Sequence, residues 1–144
     1  MNLDEVLLEA LSRGAEYALI VNVRKGNPGR LDLYQAKLRK KLLSMVCLGV
    51  KLAREMGYSA SGLNKGVIVV EGEGNLEILG KALSDVLGLP LVKSWDREAL
   101  LEEGYRSAIR LSPRRDYLGV LKFVDLKTSI AKGPMIRIKR LLPA

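Results

Sequence analysis

The sequence contains no histidine. That removes Ser-His-Asp and Cys-His catalysis and every zinc site that needs an imidazole. It has a single cysteine, Cys47, set inside an apolar run. An intramolecular disulfide is therefore impossible, a buried thiol is expected, and the chain reads as intracellular and cytoplasmic. Aromatic residues are scarce: five Tyr, one Trp and one Phe. Few platforms exist for stacking bases, and Tyr34 and Tyr117, each on or beside an expected hairpin, are the candidates. No apolar run approaches the roughly 18–20 residues of a membrane span, and no signal peptide opens the sequence, so no membrane partner is expected.

What is present is a basic chain of 144 residues, 48% apolar, with a net charge of +8. This length allows one domain, or two small lobes sharing a core. The charge is segregated. Residues 24–54 hold nine Lys/Arg and one acid, and residues 106–144 hold ten and two, so each region carries +8. The remainder holds five Lys/Arg and thirteen acids, a net of −8. Expected helices are acidic and expected hairpins basic, the electrostatic footprint of a polyanion binder.

The chain opens on a helix, with Asn2 as its cap, Glu5 in the capping-box position and Gly14 at its end. Residues 18–23 read as a largely buried strand, 24–30 as a cationic turn punctuated by Gly26, Pro28 and Gly29, and 31–34 as the return strand. The dense basic run Lys37–Lys41 follows, then a strand over 43–54, whose composition also suits a helix, and a polar loop over 58–65. Val67–Val70 is wholly apolar, as in a sheet covered on both faces. Glu71–Asn75 turns into a helix expected to be capped by Asn75 and closed by Gly88. A short strand at 90–93, a helix from Asp96 to Leu101, a second hairpin around 113–116, and a final strand 135–139 after Gly133-Pro134 complete the chain.

The two hairpins align at an offset of 90 without a gap: Ala18 with Ala108, Arg24 with Arg114, Gly29 with Gly119, Leu31 with Leu121. Gly14 and Gly104 match at the same offset. After a four-residue shift Val50 falls on Ile136 and Arg54 on Arg140. Together these indicate a duplicated unit. The second copy begins with a strand and helix, 67–88, for which the first copy has no counterpart. A truncated first half over 1–57 and a second half over 66–144 are expected, with an uncovered sheet edge in the first.

The segment VNVRKGNPGRLDLY, preceded by the helix DEVLLEALSRGAEY, resembles the central segment of archaeal Brix-domain proteins, and GVKLARE and GPMIRIKRL are similar to that family's closing strands. The resemblance covers residues 2 to about 141. It implies an α/β fold of two pseudo-repeated lobes of mixed sheet with hairpins and helices, each like the anticodon-binding domain of class II aminoacyl-tRNA synthetases. It also implies a non-enzymatic role in ribosome biogenesis through RNA binding, with ribosomal RNA or a precursor ribosomal particle as partner and guide RNA and ribosomal proteins as further candidates. By resemblance Arg24, Lys25, Asn27 and Arg30 lie on or near an RNA-facing surface. The family usually opens with a strand and a basic segment that this sequence lacks, which is the same piece the repeat finds absent; a start codon assigned too late would account for it.

Lys37, Arg39, Lys40, Lys41, Arg114, Arg115, Arg137, Lys139 and Arg140 are the further candidate phosphate contacts. Such contacts position a protein without reading sequence, so recognition of shape and backbone charge in structured RNA is expected. Glu71-Gly-Glu-Gly74 invites a nucleotide-binding reading, but the third glycine of the motif is replaced by Glu77 and the flanking carboxylates would repel a pyrophosphate. Glu71, Glu73 and Glu77 form the only dense acidic cluster, and acids at a helix start favour its dipole without a metal. No cofactor is called for. The alternative reading is a protein-interaction module that meets an acidic partner in a ribonucleoprotein complex.

Overall fold

A computed structural model describes residues 2–24, 27–51 and 65–143. Helix α1 spans Leu3–Ser12, and the Asn2 side chain accepts the Glu5 amide at 2.9 Å, as the capping box requires. Of Leu3, Val6, Leu7, Ala10 and Leu11, which the spacing places on one side of the helix, only Leu7 is buried. Strands β1 (Tyr17–Arg24), β2 (Asn27–Gln35) and β3 (Lys40–Lys51) follow, then β4 (Gly66–Val70), helix α2 (Asn75–Leu87), β5 (Leu91–Val92), helix α3 (Arg97–Glu102), β6 (Ser107–Pro113), β7 (Gly119–Asp125) and β8 (Ala131–Pro143). The expected loop over 58–64 and the strand residues 52–54 lie outside the described residues.

The strands form one eight-stranded sheet in the order β1-β2-β3-β8-β7-β6-β4-β5. β4 pairs in parallel with β5 and β6, and the other neighbours are antiparallel. One face carries Leu31, Leu33, Leu43, Met45, Ile109, Leu111, Leu121 and Ile138, packed with Leu76 and Leu79 of α2. α2 approaches this closely because residue 80 is glycine: a Cβ there would stand 2.2 Å from Val70 Cγ2. On the opposite face α3 brings Leu100 onto Val67, Val69, Ala108 and Leu126. β4 is therefore buried on both sides, which explains its continuous apolar run.

The duplication is visible in the hydrogen bonding. The β1–β2 pairs from Tyr17↔Gln35 to Asn22↔Arg30 recur at an offset of 90 as Ser107↔Asp125 to Ser112↔Val120. The amide of Ala36 donates to Glu16 O as that of Leu126 donates to Arg106 O, and Ala15 donates to Ala10 O as Tyr105 does to Leu100 O. By that correspondence α1 stands to the first hairpin as α3 stands to the second. For the closing strands the offset differs from the expected 86. Met45 pairs with Leu31 and Ile136 with Leu121, so β3 maps onto β8 at an offset of 91. Val50 and Ile136 are instead direct partners. With that offset Cys47 corresponds to Ile138, the residue it faces across the ladder, so this pair sits on the pseudo-twofold axis.

Three local expectations change. Asn75 is the first residue of α2, not its cap; Gly74 takes the cap position at φ +69°, a conformation open to glycine, and provides no side-chain bond. Pro28, Gly29 and Arg30 belong to β2 and not to the turn, because a register shift at Asn22/Val23 absorbs the extra residue. Gly133 and Pro134 lie inside β8, where the shift between Lys122 and Val124 leaves the proline no ladder position to fill.

Candidate nucleic-acid interface

Strand directions decide which cations can act together. β2, β3, β8 and β7 are successively antiparallel, so β2 and β7 run in opposite senses. The first hairpin turn precedes β2 and the second precedes β7, so the two tips point to opposite ends of the sheet. Arg24 and Asn27 pair at the first tip, and Lys25 lies outside the described residues. Lys37 and Arg39 sit in the turn after β2, and Lys40 and Lys41 open β3, at the other end of a nine-residue strand. That places them about 25–30 Å from the first tip. Arg114 and Arg115 are exposed in the second tip, at the same end as Lys37–Lys41. The two tips expected from the sequence therefore do not make one surface.

What joins the two halves is the middle of the sheet, on the face opposite α2. Arg30, Val46 and Arg140 form one cross-strand row, and Gly49, Arg137, Val120 and Ser112 another. Lys122 and Arg110 are cross-strand partners in a third. Neighbouring members of a row share a face, so these rows gather cations from β2, β8, β7 and β6. Arg137 lies against β3 because residue 49 is glycine; a Cβ there would come within 2.7 Å of its Nη2. Lys139 is exposed on the same strand.

Two carboxylates are set into this face, and both are engaged. Asp32 is buried, accepts the Asn22 amide at 2.6 Å and the Ser44 hydroxyl, and pairs with Arg30 at 3.1 Å. Glu71 receives both arms of the Arg110 guanidinium at 2.8 Å and the Ser112 hydroxyl at 2.7 Å. The Arg110 hydrogen bond, with help from Ser112, holds the Glu71 carboxyl below its ordinary pKa against the opposing effect of burial. Arg110 also stacks on Trp95, 4.2 Å from the ring centroid. Arg110 and Arg30 are thus neutralised. Among the described residues Arg137, Arg140 and Lys122 form no ion pair, nor do Lys37, Lys40, Lys41, Arg114, Arg115 or Lys139. Arg39 does pair, with Asp4 of α1 at 3.2 Å, both side chains well exposed.

A shallow depression of about 390 Å³ beside the face is lined by Glu71, Arg110, Ser112, Pro113, Arg114 and Lys122. Arg110 is not singled out by the sequence reading, and neither is Lys122. Its signal was the alternation Leu121-Lys122-Phe123, which turns the lysine away from the apolar face. Glu71, part of the acidic cluster, faces Arg110, while Glu77 pairs with Lys81 and Lys93 at 3.3 and 2.6 Å.

The sheet is thus mostly antiparallel, repeats about an internal axis, and carries on one face cations that form no ion pair among the described residues. Comparison with known proteins gives its family. A probable Brix domain-containing ribosomal biogenesis protein of Methanopyrus kandleri is 34% identical over 133 residues, taking in 85% of this chain and 67% of the relative. Proteins of the same description from Aeropyrum pernix and Pyrococcus horikoshii are 31% identical over 72 residues and 42% over 64, spanning 40% and 28% of those relatives. The chain belongs to the Brix-domain family of ribosomal biogenesis proteins. No protein-family model matches it. Its fold is that of a probable ribosomal biogenesis protein of Aeropyrum pernix (TM-score 0.74, 21% identity, 97% of this chain and 76% of that one). It is also that of Mil, an archaeal Imp4-like protein (TM-score 0.63, 19% identity, 100% and 78%).

Proposed function

We propose that the protein is a non-enzymatic RNA-binding factor in ribosome biogenesis, acting in ribosomal RNA processing and subunit assembly in the cytoplasm. Its partner is ribosomal RNA or a precursor ribosomal particle. The observation that carries this reading is the central sheet face, where Arg137, Arg140 and Lys122 stand without a paired carboxylate among the described residues in a chain of this family. Guanidinium and ammonium groups spaced along a rigid sheet match a phosphate backbone and position it without reading bases. The tip residues Arg24, Lys25 and Asn27, with Lys37, Lys40, Lys41, Arg114 and Arg115, extend the same surface toward both ends. The division into a first half over 1–57 and a second over 66–144 belongs to this proposal.

The test is binding to a structured ribosomal RNA fragment across a salt titration. A log–log slope equivalent to about four to eight phosphates is expected. Replacing Arg137 and Arg140 together by Glu should lower the slope by about two and weaken binding at least tenfold. Replacing Arg24 and Lys25 by Glu reports the share of the first tip. No binding at low salt would refute the reading.

A further inference from the structure

Arg110 is a neutralised cation held as a flat plate. On β6 it alternates with Ile109 and Leu111, so it lies on the face opposite α2, beside its cross-strand partner Lys122. Glu71 accepts from its Nε and Nη2 at 2.8 Å each, a two-point bond that fixes the plane of the guanidinium as well as its position. Trp95 supports one side of that plane, 4.2 Å from the ring centroid. The indole is itself packed against the apolar cluster of Val67, Val69, Leu100, Ala108 and Leu126. The Arg110 side chain is still 32% exposed. It lines the depression of about 390 Å³ that Lys122 and Arg114 also line and Trp95 does not. The guanidinium therefore stands between the indole and the depression.

We infer that this depression takes one unpaired nucleobase of an RNA, stacked on the outer side of the Arg110 guanidinium, with Lys122 and Arg114 on the flanking phosphates. The inference rests on the RNA-binding reading above and adds to it a contact with a base. In a chain with few aromatic residues a planar guanidinium offers the stacking surface that a ring would. Its charge is already answered by Glu71, so its remaining capacity lies in its face. The plate is formed before any ligand arrives, which spares the cost of ordering it on binding. Lys122 and Arg114 form no ion pair among the described residues. Lys122 pairs with Met135 and Val120 with Arg137, so Lys122 and Arg137 are diagonal neighbours across β7 and β8, about 7–8 Å apart. A phosphate chain lying on the central face thus leads into the depression. Every base has a π-face, so the site selects an unpaired nucleotide and not a sequence.

The test compares two RNA duplexes with one bulged nucleotide, adenosine in one and an abasic residue in the other. Both carry the same phosphates and differ only in the base. The adenosine duplex should bind about tenfold more tightly. Trp95 is the chain's only tryptophan, and its emission should change with that duplex and stay constant with the abasic one. Arg110→Lys keeps the charge and loses the plane; it should bring the adenosine duplex down to the affinity of the abasic one and leave the latter unchanged. Glu71→Gln removes a negative charge and loosens the plate, so both duplexes should bind more tightly while the ratio between them falls. Equal binding of the two duplexes by the unaltered chain would overturn the inference and leave the RNA-binding reading standing. A preference undiminished in both variants would also overturn it, by moving the base contact elsewhere. Failure to bind either duplex at low salt would overturn both readings.

Discussion

The first and second hairpins are one structure in two settings. Six consecutive cross-strand pairs repeat at an offset of 90, yet Leu111 is sealed from solvent and Val21 is half open to it. Register therefore comes from the hairpin's own alternation, while burial comes from what lies outside it. The polar face shows the same division of labour. In the first hairpin the carboxylate that anchors the face, Asp32, lies on β2 itself. In the second it is Glu71, brought from the turn between β4 and α2. The second hairpin depends on its neighbour for both its apolar and its ionic partner.

The sharpest way to test this contrast is to truncate equivalent side chains. Leu111→Ala should cost about 2–5 kcal/mol in denaturant unfolding, by lost transfer energy and the cavity left under α2. Val21→Ala should change stability by about 0.5 kcal/mol or less, as at an exposed site. Equal costs would show that Val21 is buried in solution.

A smaller effect is expected from the ionic anchor. Glu71→Gln should cost about 1–2 kcal/mol near neutral pH, the scale of a hydrogen bond to a charged group. Because the folded-state pKa of Glu71 lies below its ordinary value of 4.5, the native state binds this proton less readily than the unfolded chain. The stabilisation is complete above that ordinary value and is lost as pH falls through the folded one. Stability measured from pH 7 downward should show an acid-side decline that is shallower in Glu71→Gln. An unchanged decline would assign it to other carboxylates.

The smallest effect is expected at Arg39. Its pair with Asp4 is the first half's link from the basic turn to α1, and both side chains are largely exposed. Arg39→Ala should move stability by about 0.5 kcal/mol or less, as for most surface pairs. If it lowers RNA affinity as well, the Lys37–Lys41 turn takes part in docking.

Much of this was legible in the residues, and the reasons are local. Asn2 and Asp96 cap their helices because a short polar side chain before an apolar stripe has an amide to receive; Asp96 accepts that of Ala99 at 3.1 Å. Val67–Val70 declared a strand covered on both faces. Less legible was anything set by pairing partners. Turn residues such as Pro28 and Pro134 were absorbed by register shifts that depend on the neighbouring strand. Val50 and Ile136 looked like repeats of each other and are in fact paired. The candidate site suffered most. A run of cations is visible in one dimension, but the sense of each strand decides that the two tips part, and cross-strand rows decide that Arg30, Arg137, Arg140 and Lys122 share a face.

The placement of β8 has a consequence for how the molecule forms. The strand nearest the end of the sequence is inserted at the centre of the sheet, between β3 and β7, and joins residues as far apart as Leu43 and Pro143. Each three-stranded ribbon can begin from short-range contacts, but the closure between them carries the loop entropy of most of the chain and belongs late in folding. During synthesis β1, β2 and β3 emerge well before the strand that completes β3, so its inner edge stays open until β8 has been made. A pulse-labelling experiment should find the β3–β8 amides among the last to gain protection, with the Cys47–Ile138 pair marking where the two ribbons meet.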